Sequence, residues 1–298
     1  MRVRARVVAA LVGIALVPSM TACSSLTTAV TAQVPTSGPI EQGAQVGVDA
    51  ESQFIRVIAR GPSRQMTPTQ IVQGFLEASA SFDDDHAVAR EYLTPEASAT
   101  WDTNAGVRIY SSAPEIADLA QTVVMTAAES GEIASNGHLE ISPPGQELRE
   151  SFRLEKIAGE WRISDPPQGL LLSQQDVERA FRSYSVYYFN PDYDILVPDP
   201  RMVPVLGSGL ATTLVRRLIS GPSGWLQPSV RTAFPAGVEL NIDSVPIESG
   251  TARVDLTAEA RQMDDRTRQA VSEQLVWTLR QIPEVQKIEI TAAGQPLT

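Results

Sequence analysis

Side chains able to do chemistry are scarce in this chain of 298 residues, and their types narrow what it can do. There is one cysteine, Cys23, and there are two histidines, His86 and His138. A single thiol cannot close an intramolecular disulfide or build a four-cysteine zinc site, and two imidazoles rule out a centre built on several histidines. The densest group of possible ligands is Asp83-Asp84-Asp85-His86. Consecutive side chains diverge, whereas a calcium loop needs oxygen ligands at alternating positions closed by a bidentate Glu. The run is read instead as a solvated turn that places negative charge at the N-terminus of the next helix. For acyl transfer there is no G-x-S-x-G elbow, and neither histidine has a motif-placed partner. His138 follows Asn136-Gly137, a turn entering a strand, and is read as a surface residue. Asp102, beside Trp101 and with Tyr92, could serve as base and donor in an isomerase-type proton transfer, a chemistry that needs a carboxyl tuned by burial. Trp101 and Trp161 are expected in the core or a pocket wall. Gly221-Pro222-Ser223-Gly224 is a helix stop without a P-loop lysine. Tyr184, Tyr187, Tyr188 and Tyr193 are of a type that favours protein interfaces, although strand residues shared between core and surface are the plainer reading. No catalytic, cofactor-binding or metal site is assigned, and the chain is not expected to be an enzyme.

Charge excludes further classes of partner. With 24 basic and 35 acidic side chains the formal charge is −11, and losing Arg2, Arg4 and Arg6 with a cleaved leader would take it to −14. Such a chain is repelled by phosphate backbones and by anionic headgroups, so no nucleic-acid partner is expected and any membrane contact must be hydrophobic or covalent.

Arg2, Arg4 and Arg6 precede an apolar run over residues 7–17, followed by Pro18 and small residues up to Cys23, the three-part layout of a secretory signal. As a helix the run would rise about 16 Å, roughly half of the ~30 Å hydrocarbon core, too short to span stably. Met20-Thr21-Ala22-Cys23 resembles the bacterial lipobox. That resemblance implies cleavage between Ala22 and Cys23, a diacylglyceryl thioether on the Cys23 thiol, and acylation of the freed amine. Two acyl chains or more give stable anchoring where one is marginal, at about 0.8 kcal/mol per buried CH₂. From residue 24 to 50 the composition turns to Ser, Thr, Ala, Gln, Val, Pro and Gly. Residues 1–22 are therefore read as signal peptide and 23–60 as a flexible tether, with a reach of about 30 Å for its most polar stretch.

Thr67 as N-cap, Pro68 at the first helical position and Gln70 as capping-box partner start a helix with Ile71, Val72, Phe75 and Leu76 on one face. A second helical stretch is expected from His86 to Leu93, and a third after Thr94-Pro95. Period-two runs then suggest strands at 107–109, 119–126, 138–141, 148–157 and 161–163, the last two joined by an Ala158-Gly159 hairpin. Asp165-Pro166-Pro167 closes this unit, and a bridging stretch at 174–182 leads to the next. There, strands are expected at 186–189, 195–205, 238–245, 251–256 and 285–290. One helix carries Leu210, Leu214, Val215 and Leu218. Another, capped by Asp264 or Asp265, carries Val271, Leu275, Leu279 and Ile282. Helices first and antiparallel strands after them make an α+β layout with helices on one face of a curved sheet.

The stretch 156–163 (KIAGEWRI), and 87–95 (AVAREYLTP) followed by Trp101, resemble the NTF2-like cone fold. The Tyr187-Tyr188-Phe189-Asn190-Pro191 strand, Leu218-Ile219-Ser220-Gly221-Pro222 and residues 250–256 (GTARVDL) resemble the GerMN domain. A lipobox, a polar tether, an NTF2-like unit at 61–172 and a GerMN-like unit at 180–298 together resemble the LpqB-type lipoproteins of actinobacteria. Members of that family continue into a C-terminal propeller-like domain, so a short form or fragment is expected here. The resemblance implies an extracytoplasmic lipoprotein, anchored at the outer face of the cytoplasmic membrane. Its partner would be the sensor domain of a histidine kinase, which it would modulate in two-component signalling and envelope homeostasis. The alternative is a small-molecule or cell-wall ligand held in the NTF2-like cone.

Overall fold

A computed structural model describes residues 59–119, 122–205 and 209–297, and Ala22, Cys23 and nearly all of the tether lie outside them. The described residues belong to one compact unit with two hydrophobic cores, one drawn from residues 71–181 and the other from 186–292.

Helix α1, Pro68–Ser79, has the full capping box, with Thr67 Oγ1 accepting from the Gln70 amide and the Gln70 side chain accepting from the Thr67 amide. Its buried face is Ile71, Val72, Phe75 and Leu76, as the apolar spacing requires. Helix α2 is a single turn, Ala87–Arg90, shorter than expected. Asp84, Asp85 and His86 all have positive φ, which ends helical geometry on its N-terminal side, and Thr94, extended before Pro95, starts α3 at Pro95–Thr100.

The first sheet contains β1 Gly106–Tyr110, β2 Glu115–Leu119, β3 Thr122–Ala134, β4 Leu139–Ile141, β5 Glu147–Ile157, β6 Glu160–Asp165 and β7 Leu170–Ser173. Its main path is β6-β5-β3-β1-β7. Strand β3 changes partners along its length, pairing with β2 and β5 over its first half and with β1 and β4 over its second. This curls the sheet. A Cβ at Gly131 would sit 2.5 Å from the Glu140 carbonyl, so glycine is what lets β4 close on β3.

Two expectations fail here. The run 119–126 is not one strand but the end of β2 and the start of β3, and β3 continues through Ala-Ala-Glu-Ser-Gly, where no alternation marks it. Residues 165–167 do not close the unit, because Leu170–Ser173 returns as β7 to pair in parallel with β1. The bridging stretch is helix α4, Gln174–Ala180, capped by the Ser173 side chain.

Beyond it, β8 Phe181–Phe189 and β9 Leu196–Pro204 form an antiparallel ribbon. Pro198 and Pro200 are tolerated because, among the described residues, β9 has no second neighbour in that sheet. Helix α5 is Leu210–Ile219, and α6 is Asp265–Leu279 with Asp264 accepting from the Thr267 amide. A four-stranded sheet follows the order β10 (Ile247–Glu248), β11 (Thr251–Leu256), β12 (Lys287–Ala292), β13 (Gln295–Pro296). Strands β11 and β12 are parallel, and α6 supplies the crossover that parallel pairing demands. Residues 238–245 do not form the expected strand. Asn241 bonds through backbone and side chain to Asp255, the chain turns tightly with Ser244 N donating to Ile242 O at 2.6 Å, and Ile242 is left exposed. The helices-on-sheet α+β class is nonetheless the one observed.

Candidate functional site

The residues singled out for chemistry are scattered by the fold. Asp83, Asp84 and Asp85 are exposed, while His86 is buried with its ring 4.8 Å from Phe82 and 6.0 Å from Trp101. Burial holds the imidazole below its ordinary pKa, and its Nδ1 has no partner among the described residues. Asp85 pairs with Arg90 at 2.6 Å rather than capping α2. Among the described residues no three His, Cys, Asp or Glu side chains are placed to hold a metal. Asp102 is exposed and accepts from the Asn104 amide, while the Tyr92 hydroxyl, its pKa raised by burial, donates to the Arg60 carbonyl at 2.7 Å. These two do not converge on a pocket. Between α1 and the sheet, Phe75 packs on Trp101 at 5.1 Å and on Phe152 at 6.1 Å, with Met125 and Ile163 fully buried beside them. Trp101 is a core residue, its Nε1 bonded to the Gly169 carbonyl.

The four tyrosines divide as an alternating strand and its turn dictate, with Tyr184 partly buried against the second core. Tyr188 is buried, its hydroxyl donating to the Arg217 and Leu218 carbonyls, and Tyr193 stacks on Phe189 at 5.4 Å. Tyr187 lies half-buried, 5.7 Å from Trp277. Trp277 is 38% exposed and Val276 42%, and the Arg280 guanidinium sits 3.5 Å above the indole. Val276 and Trp277 fall off the buried stripe of α6, and that misplacement of large apolar side chains is the sequence signal for this surface.

The second assembly lies where the two cores meet. The Asn136-Gly137 turn between β3 and β4 rests on β9, with Met202 N donating to Gly137 O at 2.8 Å and Arg201 Nη1 to Asn136 O at 2.8 Å. Arg201 also donates to Asp199 at 2.6 Å and to Gly221 O at 3.1 Å. Asp199 in turn accepts from the amide and hydroxyl of Ser223, both at 2.8 Å, and Asp199, Arg201 and Ser223 are all fully buried. Beside this clamp Arg217 bonds to the Met202 carbonyl, and burial, aided by the Arg201 charge, lowers its pKa to about 10. His138, half-buried rather than on the open surface, faces Trp225 across the same junction with ring centroids 6.3 Å apart. The helix stop at Gly221 to Ser223 is therefore also half of the clamp.

Residues 61–178 match the family model described as "Lipoprotein LpqB, N-terminal domain", and residues 185–298 match "Sporulation and spore germination". The chain is similar to Lipoprotein LpqB of Thermobifida fusca, 35% identical over 92% of this chain and 46% of that protein. It is 32% identical to Lipoprotein LpqB of Cutibacterium acnes over 89% of this chain and 45% of that protein. It spans about half the length of the curated relatives it matches. A solved structure of the tandem GerMN domains of the sporulation protein GerM from Bacillus subtilis is 21% identical over 40% of this chain and 41% of that one, with a TM-score of 0.33. Among the described residues no helix is long and apolar enough to cross a membrane.

Proposed function

The chain belongs to the LpqB lipoprotein family, and from that premise we propose that it is a non-enzymatic docking module held by lipid on Cys23 at the outer face of the cytoplasmic membrane. Its partner in this reading is the extracytoplasmic sensor domain of a histidine kinase, whose output it modulates in envelope homeostasis. The observation that carries a docking role is the exposed cluster of Trp277, Val276, Arg280 and half-buried Tyr187. Trp, Tyr and Arg dominate interface energetics because they bury much area with little entropy loss and keep a polar edge for bonding. Ligand binding inside the cone is less well supported, since rings of Phe75, Trp101 and Phe152 pack together there.

The test is calorimetric titration of the full chain with the isolated sensor domain, wild type against Trp277→Ala and Val276→Asp. Loss of a central aromatic contact weakens binding by about thirtyfold, which is about 2 kcal/mol. Both variants keep the far-UV spectrum of the wild type. Equal affinity of wild type and both variants would remove this surface from the account.

A further inference from the structure

We propose that the crevice at the junction of the two cores is a binding site for a small organic carboxylate, with Arg217 as the anion-recognising residue. The crevice has a volume of about 430 Å³, within the range of small-molecule sites, and is walled by Asn104 and Ser135 from one side and Phe181, Thr213, Arg216 and Arg217 from the other. Its described lining holds two arginines and no carboxylate, in a chain whose formal charge is −11.

The charge inventory of the junction is unbalanced. The Arg201 charge acts on Arg217, and the carboxylate beside them, Asp199, already accepts from Arg201 and from the amide and hydroxyl of Ser223. Arg216 is paired with Asp243, so its charge is already answered. Arg217 has only the Met202 carbonyl as an acceptor among the described residues. A guanidinium carries five N–H donors in a rigid fork, so most of this fork is open to solvent or to a ligand at the crevice wall. A half-buried cation without a counterion is costly to maintain unless an anion supplies one.

One unanswered charge selects a monoanion over a dianion, and a planar fork selects a carboxylate, which it can bind bidentately. Phe181, itself buried, offers an apolar wall, while Thr213, Ser135 and Asn104 offer neutral hydrogen-bonding groups. The ligand is thus a carboxylate with a partly apolar body. Because the walls come from both cores, occupancy also ties the two halves of the molecule together.

Phenylacetate is a suitable probe, with phenylacetamide as its neutral twin and, at a pH of about 8 where the dianion dominates, inorganic phosphate as the dianionic comparison. Titrations of the full chain are followed by NMR of the arginine Nε–Hε signals. The Arg217 signal is expected to shift with phenylacetate, to stay still with the amide, and to respond more weakly to phosphate. Arg217→Gln is expected to weaken phenylacetate binding about tenfold or more. Since Arg217 also supports the junction, Ser135→Trp provides an independent route. Ser135 is exposed at the crevice wall, and an indole there is expected to abolish binding while leaving the melting temperature of the free protein within about two degrees. Equal binding of acid and amide, tighter binding of phosphate, or undiminished binding by either variant would overturn the proposal.

Discussion

Removing the carboxylate of Asp199 tests how the two cores are held, because the ion pair it makes is among the least exposed in the molecule. Both partners of the Asp199–Arg201 pair are 0% exposed, and the carboxylate also holds the amide and hydroxyl of Ser223. Asp199→Ala leaves the Arg201 guanidinium buried without a counter-charge and two Ser223 donors without an acceptor. Breaking a buried pair by removing one partner costs about 3–5 kcal/mol, and in a body of this size that lowers the melting temperature by about 6–20 °C. Arg153–Asp165 is the internal control, with the same chemistry at 3.4 Å but side chains 69% and 65% exposed. Water and ions screen such a pair, so Asp165→Ala is expected to cost less than about 1 kcal/mol. Thermal and urea unfolding of both variants give the comparison directly. Similar losses for the two variants, or a loss below about 1 kcal/mol for Asp199→Ala, would refute the reasoning that burial makes the clamp decisive.

Three further outcomes are expected. Cys23→Ser loses membrane retention and palmitate labelling while the remaining chain, with no other cysteine, folds unchanged; cell fractionation reads this, and unlabelled membrane recovery at wild-type level would speak against the anchor. Burial lowers the folded pKa of His86 below 6.5, so the unfolded chain takes up the extra proton first. Stability is full above that value and falls as pH drops through it toward the folded pKa, at no more than about 1.4 kcal/mol per pH unit. His86→Asn, which accepts the φ of 58° there, should flatten the difference between pH 7.5 and pH 5, and an unchanged slope would disprove the assignment. Gly137→Ala combines a strained φ of 84° with a Cβ that would collide with Arg217 Nη1, and is expected to destabilise by about 1–3 kcal/mol and to move the Arg217 side chain, both measurable by denaturation and by NMR.

Where local chemistry decides an element, the sequence was sufficient. The Thr67 capping box, the Asp264 cap, the alternation of residues 148–157 and the α6 stripe each specify their element from within a few residues, and the α+β class follows from their order. What failed was decided elsewhere in the chain. The short strand β7 takes its identity from pairing with β1, more than sixty residues earlier, and residues 238–245 lose theirs to hydrogen bonds with Asp255. The run 119–126 joins the end of β2 to the start of β3, two strands that pair with each other, and no period within the run marks where one gives way to the next. The clamp was illegible for the same reason. Arg201 meets Asn136 across 65 residues and Gly221 across 20, and nothing near Arg201 in sequence distinguishes a buried guanidinium from the other surface arginines of an acidic chain. His86 reads as a companion of three aspartates, yet the turn of positive φ at residues 84–86 sends its ring into the core between Phe82 and Trp101. Val276 and Trp277 left a trace, as large apolar side chains off the buried stripe of a helix.

The most direct test of a lipid-held docking module is kinase autophosphorylation in vesicles carrying the full-length sensor kinase and the acylated chain. The acylated wild type is expected to change the autophosphorylation rate, and Trp277→Ala and the unlipidated Cys23→Ser protein at equal concentration to change it much less. No change with the acylated wild type, or an equal change with the Trp277→Ala variant, would contradict the docking role.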